Sequence, residues 1–196
     1  AARPSPSLGP ELVRAVRRMT ECALLEENSR GRRLTAAEAE RITAGKTGAL
    51  FRWCALAACS LAERPGLLGD CARIGEEAGI AFQIIDDVLD LEGDPADCGK
   101  DILKDVRRGN FTLPLILALD DAKAGPEAAE LLETLRAAPA ADLPPALALA
   151  AFLRKEGFTA AARSAAAGRI KALSALIDLL PDPGGAAALK DFLFAF

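Results

Sequence analysis

The stretch FQIIDDVLDLEGDPADCGKDILKD, residues 82–105, places three aspartates within and just after an apolar run. Asp86, Asp87 and Asp90 fall at positions i, i+1 and i+4, so a helix would carry them on one side, with Gln83 one turn earlier. Like charges at this spacing repel one another, and carboxylates near a helix C-terminus also oppose the helix dipole. A bound cation would offset both effects, while a solvated helix end is the alternative explanation.

Mg²⁺ is the cation that this pattern fits best. It prefers carboxylate oxygens, keeps several waters and commonly bridges one or two carboxylates to a substrate diphosphate. The sequence contains no histidine, which excludes a Ser-His-Asp triad, a Cys-His pair and a histidine-ligated metal site. We therefore predict a Mg²⁺ site with Asp86, Asp87 and Asp90 as its ligands.

Basic residues occur in the same parts of the sequence as these carboxylates. Lys100 follows the turn after Gly99, and Lys104 comes shortly afterwards. Lys46, with Thr47 beside it, lies in a long apolar helical stretch where a solvated face would explain it poorly. Because lysine acts as a point charge toward phosphate, the combination of metal ligands and lysines predicts a clamp for a diphosphate.

The composition favours helices over strands. Ala and Leu dominate the 51% of apolar residues, while Val, Ile, Tyr and Trp are scarce. We expect an all-α single domain over residues 1–196, with residues 1–10 as a disordered leader or a cut edge. Periodicity, capping and turn signals predict a helix from near Glu11, one from Thr35 to before Pro65, one from Leu67 to the GDPADCGK turn, and further helices at 112–122, 126–138, 144–155, 158–180 and 184–195.

Charge and cysteine content limit the class of protein. A net charge of −4 offers no global attraction to nucleic acid or to an anionic membrane. The five cysteines are odd in number and lack the paired spacing of a zinc site or a disulfide framework, which favours a reducing, cytoplasmic setting. No stretch approaches the roughly 20 uninterrupted apolar residues of a membrane span.

A family resemblance rests on GIAFQIIDDVLDLEGDPADCGKDILKDVRRGNFTLPLILAL, residues 79–119, together with GKTGALF at 45–51. This text resembles the trans-type isoprenyl diphosphate synthases, the polyprenyl synthetase family, whose second aspartate-rich region has the same spacing through DDVLD, GK and TLP. The resemblance implies an isoprenoid-synthase-like antiparallel helical bundle around a deep cavity, with two aspartate-rich motifs facing each other. It also implies Mg²⁺-dependent condensation of isopentenyl diphosphate with an allylic diphosphate.

The resemblance also implies roles for individual residues. Thr47 and Gln83 resemble polar groups placed near the developing carbocation, and Asp105 fits a downstream acidic position. Asn110 stands where many members carry a lysine, so Arg107 or Arg108 is expected to replace that phosphate contact. The predicted catalytic residues are Lys46, Thr47 and Gln83; the predicted diphosphate ligands are Lys46, Lys100, Arg107 and Arg108.

The chain departs from the family pattern before Glu11. The first aspartate-rich motif and a basic glycine-rich stretch upstream of it have no counterpart, so the resemblance covers the C-terminal two-thirds of a usual synthase. The chain is therefore expected to lack N-terminal helices and to be inactive alone. Three interpretations remain open: a truncated or partial synthase, a subunit of a two-chain prenyltransferase, and a non-catalytic diphosphate-binding homologue. The family commonly forms homodimers, and product chain length cannot be read.

Aromatic residues outside these motifs are assigned to packing. Phe51 and Trp53 are expected in the core, and Phe192, Phe194 and Phe196 are expected to pack a terminal helix. The predicted third helix collects an apolar stripe that includes Ile74, Ala78, Phe82 and Leu89.

Overall fold

A computed structural model describes residues 8–93, 103–139 and 142–195. Within these ranges the secondary structure is helical and contains no strand, which confirms the all-α prediction. The α-helices are α1 Leu8–Asn28, α2 Ala36–Thr43, α3 Ala49–Leu61, α4 Leu68–Glu92, α5 Lys104–Arg107, α6 Leu113–Asp120, α7 Gly125–Ala137, α8 Leu143–Lys155, α9 Phe158–Asp178 and α10 Pro183–Phe194. A π-helix, Ala44–Gly48, joins α2 to α3, and a 3₁₀ turn, Pro65–Leu67, precedes α4.

The helices belong to two compact units. The first unit comprises the described residues within Ala1–Leu25, Glu40–Gln83 and Ala165–Phe196, and the second comprises those within Glu26–Ala39 and Ile84–Ser164. The prediction of a single domain over residues 1–196 stays a prediction. The predicted site residues divide between these units, so each part is described separately below.

The predicted capping box is present at the start of α2. At the start of α2, the Glu38 backbone N–H donates to Thr35 Oγ1 at 3.2 Å and the Thr35 N–H donates to Glu38 Oε2 at 2.9 Å. This reciprocal pair is the expected capping box. The first of these hydrogen bonds satisfies a donor that the first turn of the helix leaves without an intrahelical partner.

Helix α1 starts at Leu8, three residues before the predicted start near Glu11. Part of the expected leader, Leu8 to Pro10, is therefore helical, while residues 1–7 lie outside the described ranges. Pro10 is compatible with a first turn because its missing N–H would have no intrahelical acceptor there. Leu8 is buried, and its carbonyl accepts a hydrogen bond from Trp53 Nε1 at 3.2 Å.

Each unit has its own apolar core. In the first unit, the half-buried Phe51 and the 37% exposed Phe82 have ring centroids 5.5 Å apart and lie outside the fully buried set. The buried apolar residues of this unit include Ile42, Ala49, Ile74, Ala78, Ile80, Ile170, Leu173 and Ile177. Those of the second unit include Val88, Leu91, Leu103, Val106, Leu115, Ile116, Leu149 and Leu153.

Two packing predictions are wrong. Phe192 and Phe194 on α10 are 58% and 55% exposed, whereas Leu193 between them is buried. On α4, Ile74 and Ala78 are buried as expected, but Phe82 is 37% and Leu89 is 54% exposed. Tertiary neighbours decide which face of a largely apolar helix is covered, and periodicity alone does not identify that face.

No helix in the described part of the chain is both long enough and apolar enough to cross a bilayer.

Candidate active site

The first part of the candidate site is the π-helix, which carries Lys46 and Thr47. Thr43 before it and Ala49 after it both have right-handed helical backbone angles, so the helix continues through the π segment into α3. π turns are rare and occur frequently at functional sites. The segment was predicted as ordinary helix, and its π geometry was not.

Helix α4 packs against this segment with backbone close to backbone. A Cβ at Gly79 would lie 2.8 Å from Gly48 Cα, and a Cβ at Gly75 would lie 2.5 Å from the Phe51 carbonyl oxygen. A Cβ at Gly48 would lie 3.1 Å from the Glu76 carbonyl oxygen. These approaches require glycine because the atoms in the way are backbone atoms, which cannot move aside.

This packing brings together two of the residues that the sequence predicted as catalytic. Thr47 Oγ1 donates a hydrogen bond to Gln83 Oε1 at 2.7 Å, and both side chains are half-buried. Because the Thr47 hydrogen is committed to Gln83, the Thr47 oxygen keeps lone pairs for another partner. Lys46 lies one residue earlier and is also half-buried. The catalytic roles of these three residues stay predictions.

Two arginines bind the acidic pair that lies between the glycines of α4. Arg18 of α1 contacts Glu76 at 2.9 Å, and Arg169 of α9 contacts Glu77 at 2.6 Å and Glu40 of α2 at 2.5 Å. Burial on its own would lower the pKa of Arg169, but the hydrogen bonds that Arg169 donates to Glu40 and Glu77 raise it above its ordinary value. The sequence reasoning missed these contacts, since their partners are far apart in the chain.

The second part of the candidate site is the C-terminal end of α4, in the second unit. Asp86 is exposed, while Asp87 and Asp90 are half-buried. Asp90 Oδ1 accepts a hydrogen bond from the Lys104 N–H and Oδ2 accepts one from the Asp105 N–H, each at 3.1 Å. Burial raises the pKa of Asp90 above its ordinary value, although these two hydrogen bonds act in the opposite direction.

Asp90 thereby holds the start of α5, a short helix that the sequence reasoning did not predict. Leu103, just before α5, has a φ of 57° in the left-handed region and is almost fully buried. Its N–H donates to the Asp90 carbonyl at 3.3 Å. A non-glycine residue in that conformation carries strain, so the Asp90 contacts and the burial of Leu103 must hold the turn in place.

Asp105 and Asn110 close the turn after α5. Asn110 Nδ2 donates to Asp105 Oδ1 at 2.8 Å, and the Asn110 N–H donates to the Asp105 carbonyl at 2.9 Å. The side-chain oxygen of the same amide, Asn110 Oδ1, and the hydroxyl Thr112 Oγ1 are buried without a hydrogen-bond partner. The predicted diphosphate ligands Arg107 and Arg108 are half-buried and exposed respectively. Lys100 lies outside the described residues.

The carboxylates at this end of α4 are the groups that would have to bind Mg²⁺. Across residues 8–93, 103–139 and 142–195, no three carboxylate or thiol side chains come together as a metal site. Mg²⁺ nevertheless commonly uses one or two carboxylates and completes its shell with waters and substrate phosphates. Asp86 and Asp87 fit that requirement, whereas both oxygens of Asp90 already accept backbone hydrogen bonds. The metal-ligand assignment stays a prediction.

Comparison with known proteins identifies the family. The sequence model of the Polyprenyl synthetase family matches residues 11–148 of this chain. The chain belongs to the polyprenyl synthetase family. The geranylgeranyl diphosphate synthase of Mycobacterium tuberculosis is 36% identical over 146 residues, which are 73% of this chain and 41% of that protein. The farnesyl diphosphate synthase of Bacillus subtilis is 38% identical over 93 residues, 47% of this chain and 31% of that protein.

Solved structures of this family share the fold. A geranylgeranyl pyrophosphate synthase from Lactobacillus brevis matches with a TM-score of 0.81 and 27% identity, over 96% of this chain and 59% of that chain. A polyprenyl synthase from Caulobacter crescentus, complexed with calcium and isoprenyl diphosphate, matches with a TM-score of 0.84 and 28% identity, over 96% and 58%. The isoprenoid-synthase-like helical fold is thus confirmed. This polyprenyl synthetase family member spans less than two-thirds of the length of these relatives.

Proposed function

We propose that this chain carries one side of a prenyltransferase site that condenses isopentenyl diphosphate with an allylic diphosphate. The observation that carries the proposal is the contact between Thr47 and Gln83, which pairs the GKTG stretch with the FQIIDDVLD helix. Gln83 precedes Asp86 by one turn of α4, so the polar pair and the carboxylates follow each other on one helix. Membership of the polyprenyl synthetase family supports the same reaction.

The cofactor implied by the family and by the carboxylates is Mg²⁺, with Asp86 and Asp87 as its main protein ligands and Asp90 as a third candidate. When bound, it would neutralise the negative charge that grows on the leaving diphosphate. The related Caulobacter crescentus synthase was solved with calcium, another hard divalent cation, and isoprenyl diphosphate. That complex supports a divalent-cation and diphosphate site on this fold.

The residues of the chain would act on the two substrates as follows. The Lys46 ammonium, with Lys100, Arg107 and Arg108 as further cations, would bind the diphosphate oxygens. The allylic carbon–oxygen bond breaks with its electron pair going to the diphosphate, and the double bond of isopentenyl diphosphate supplies the electrons of the new carbon–carbon bond. A carbon–hydrogen bond then breaks, its electrons form the new double bond, and its proton passes to the released diphosphate. The lone pairs of Thr47, oriented by Gln83, would face the positive charge on the allylic fragment.

Partners follow from the chemistry and from the length of the chain. Because the chain spans 41% of the Mycobacterium tuberculosis synthase, we infer that turnover needs a facing aspartate-rich motif, supplied by further sequence or by a second chain. A homodimer or heterodimer is the expected assembly, and neither nucleic acid nor a membrane is an expected partner. The free thiols Cys22, Cys54, Cys59 and Cys71 favour a reducing, cytoplasmic setting.

A non-catalytic diphosphate-binding homologue is the second candidate function. It is favoured by the sequence, which contains no second DDxxD motif, as a degenerate homologue would also show. This candidate keeps binding of an allylic diphosphate but gives no elongation with any partner chain. The same assay therefore separates the two functions.

The test is a prenyl-transfer assay with labelled isopentenyl diphosphate, geranyl diphosphate and Mg²⁺. We expect no elongation by the 196-residue chain alone, and elongation once a second chain supplies an aspartate-rich motif. Elongation by the chain alone would contradict the requirement for a facing motif, and binding without elongation in every combination would favour the non-catalytic function.

A further inference from the structure

We propose that Arg169 is a positioning residue, which ties α2 to α4 and so keeps Thr47 of the π-helix in register with Gln83. The inference deepens the proposed function, because it concerns the alignment of residues assigned to that site. Arg169 itself is placed on α9, outside the motifs that identify the family.

The geometry of the contact supports a tie between three helices of the first unit. Arg169 Nη1 lies 2.6 Å from Glu77 Oε2 on α4, and Nη2 lies 2.5 Å from Glu40 Oε2 on α2. The side chain of Arg169 is 24% exposed and that of Glu77 is 32% exposed, so the pair is partly withdrawn from water. The side chain of Arg169 thus bridges α2 and α4.

Arginine suits this bridge better than other cations do. Its planar guanidinium presents several N–H donors in a fixed fork, so that two different nitrogens can serve two carboxylates at once. The hydrogen bonds that Arg169 donates to both glutamates outweigh the effect of burial and raise the pKa of Arg169. Without the guanidinium, two carboxylates would face each other across the helices and repel.

The two glutamates lie at similar sequence distances from the polar pair. Glu40 precedes Thr47 by seven positions and Glu77 precedes Gln83 by six, which is less than two turns of helix in each case. A displacement of α2 against α4 would therefore be passed directly to Thr47 and Gln83. The π-helix between α2 and α3 is the element most sensitive to such a shift, since π geometry is rare and often marks a local irregularity.

A second ion pair between α9 and α4 provides a matched control. Arg163 of α9 contacts Glu92 of α4 at 2.5 Å in the second unit, with side-chain exposures of 37% and 30%. Its chemistry and burial resemble those of the Arg169 pair, but it does not contact α2. Removal of Arg163 should therefore lower the stability of the protein in the way that any lost ion pair would, without changing the alignment of Thr47 with Gln83. Lys171→Met, at an exposed position of α9, controls for the change in charge.

Gln83 provides a direct spectroscopic probe, because it is the only glutamine in the sequence. Protein labelled with ¹⁵N at glutamine side chains should give a single side-chain amide signal pair, which reports on the hydrogen bond from Thr47. The shift in Thr47→Val defines the position of this signal when that hydrogen bond is lost. The measurement uses the free protein and needs neither substrate nor turnover.

We expect Arg169→Met to move the Gln83 amide signals more than half of the way to their positions in Thr47→Val. Backbone amides of Ala44–Gly48 should exchange with solvent about tenfold faster in the same variant. Arg169→Lys, which keeps the charge but loses the fork, should give a smaller displacement in the same direction. Arg163→Met and Lys171→Met should leave both readouts at their wild-type values.

Unchanged Gln83 signals in Arg169→Met, or equal changes in Arg163→Met, would overturn the proposal. If Arg169→Met does not fold, Glu40→Gln and Arg169→Lys take its place with the same expected direction, and unchanged signals in both would overturn it. Failure of the chain to bind an allylic diphosphate, or to elongate it when a second chain supplies the facing motif, would contradict the proposed function instead. The Arg169 result would then still be decided by the Gln83 signals.

Discussion

The two parts of the candidate site are built by different means. In the first unit, Thr47 and Gln83 are neutral groups held by close glycine packing and by ion pairs to neighbouring helices. In the second unit, the aspartates lie at the end of α4, where Asp86 is exposed and Asp90 is held by backbone N–H groups of the short helix α5. The neutral pair is positioned by rigid packing, whereas the charged group depends on a local turn and, by proposal, on a bound ion.

The largest expected effect lies in the glycine contact of the first unit. Gly75→Ala should lower the free energy of unfolding by about 1–3 kcal/mol, because its Cβ would meet the Phe51 carbonyl oxygen at 2.5 Å. Gly168→Ala is the matched control in the interior of α9, where a new Cβ meets nothing within 4 Å. It should raise stability by about 0.5–1 kcal/mol. Urea unfolding measures both, and equal effects of the two variants would contradict rigid packing at Gly75.

The next effect concerns the polar pair itself. Thr47→Val should lower the free energy of unfolding by about 1–2 kcal/mol, since it removes a hydroxyl and leaves the half-buried Gln83 oxygen without that donor. Thr47→Ser keeps the hydroxyl and should retain most of the stability. The comparison is made by thermal unfolding at one protein concentration. A loss in Thr47→Ser as large as in Thr47→Val would assign the effect to the methyl group and not to the hydrogen bond.

The smallest expected effect lies in the second unit. Asp90→Asn should lower the free energy of local unfolding at the start of α5 by about 1 kcal/mol. An NH₂ group would replace one of the two carboxylate oxygens that accept backbone N–H groups. The change should be local, with faster hydrogen exchange at Leu103–Arg107 and little change in the first unit. Asp191→Asn should leave this exchange unaltered. Global acceleration in Asp90→Asn would mean that the turn supports the whole chain and would weaken the contrast between the two regions.

Much of the fold could be predicted because its signals are local. The capping box of Thr35 and Glu38 marked the start of α2. The end of α4 was placed by the GDPADCGK turn. Such signals involve residues within a few positions of one another, so they can be read without tertiary structure. The catalytic roles of Thr47 and Gln83 were instead implied by the family resemblance, and together with that of Lys46 they stay predictions.

The missed features depend on distant residues. The π geometry of Ala44–Gly48 has no distinct composition, and it became visible only with α4 packed on Gly48. Arg169 lies far along the chain from both Glu40 and Glu77. Helix α5 is held by Asp90, which is separated from Asp105 by 15 positions in the sequence. The exposed side of α4 was likewise assigned to the core by periodicity alone. Tertiary contacts decided each of these points.

Binding of geranyl diphosphate by titration calorimetry, with and without Mg²⁺, tests the central claim most directly. We expect binding that requires Mg²⁺ in the wild-type chain, and a loss of about 100-fold in affinity when Asp86→Asn and Asp87→Asn are combined. Asp191→Asn, which removes an exposed carboxylate elsewhere, should bind as the wild type does. Binding that is independent of Mg²⁺, or that survives the double substitution unchanged, would contradict the assignment of the α4 aspartates to a metal–diphosphate site.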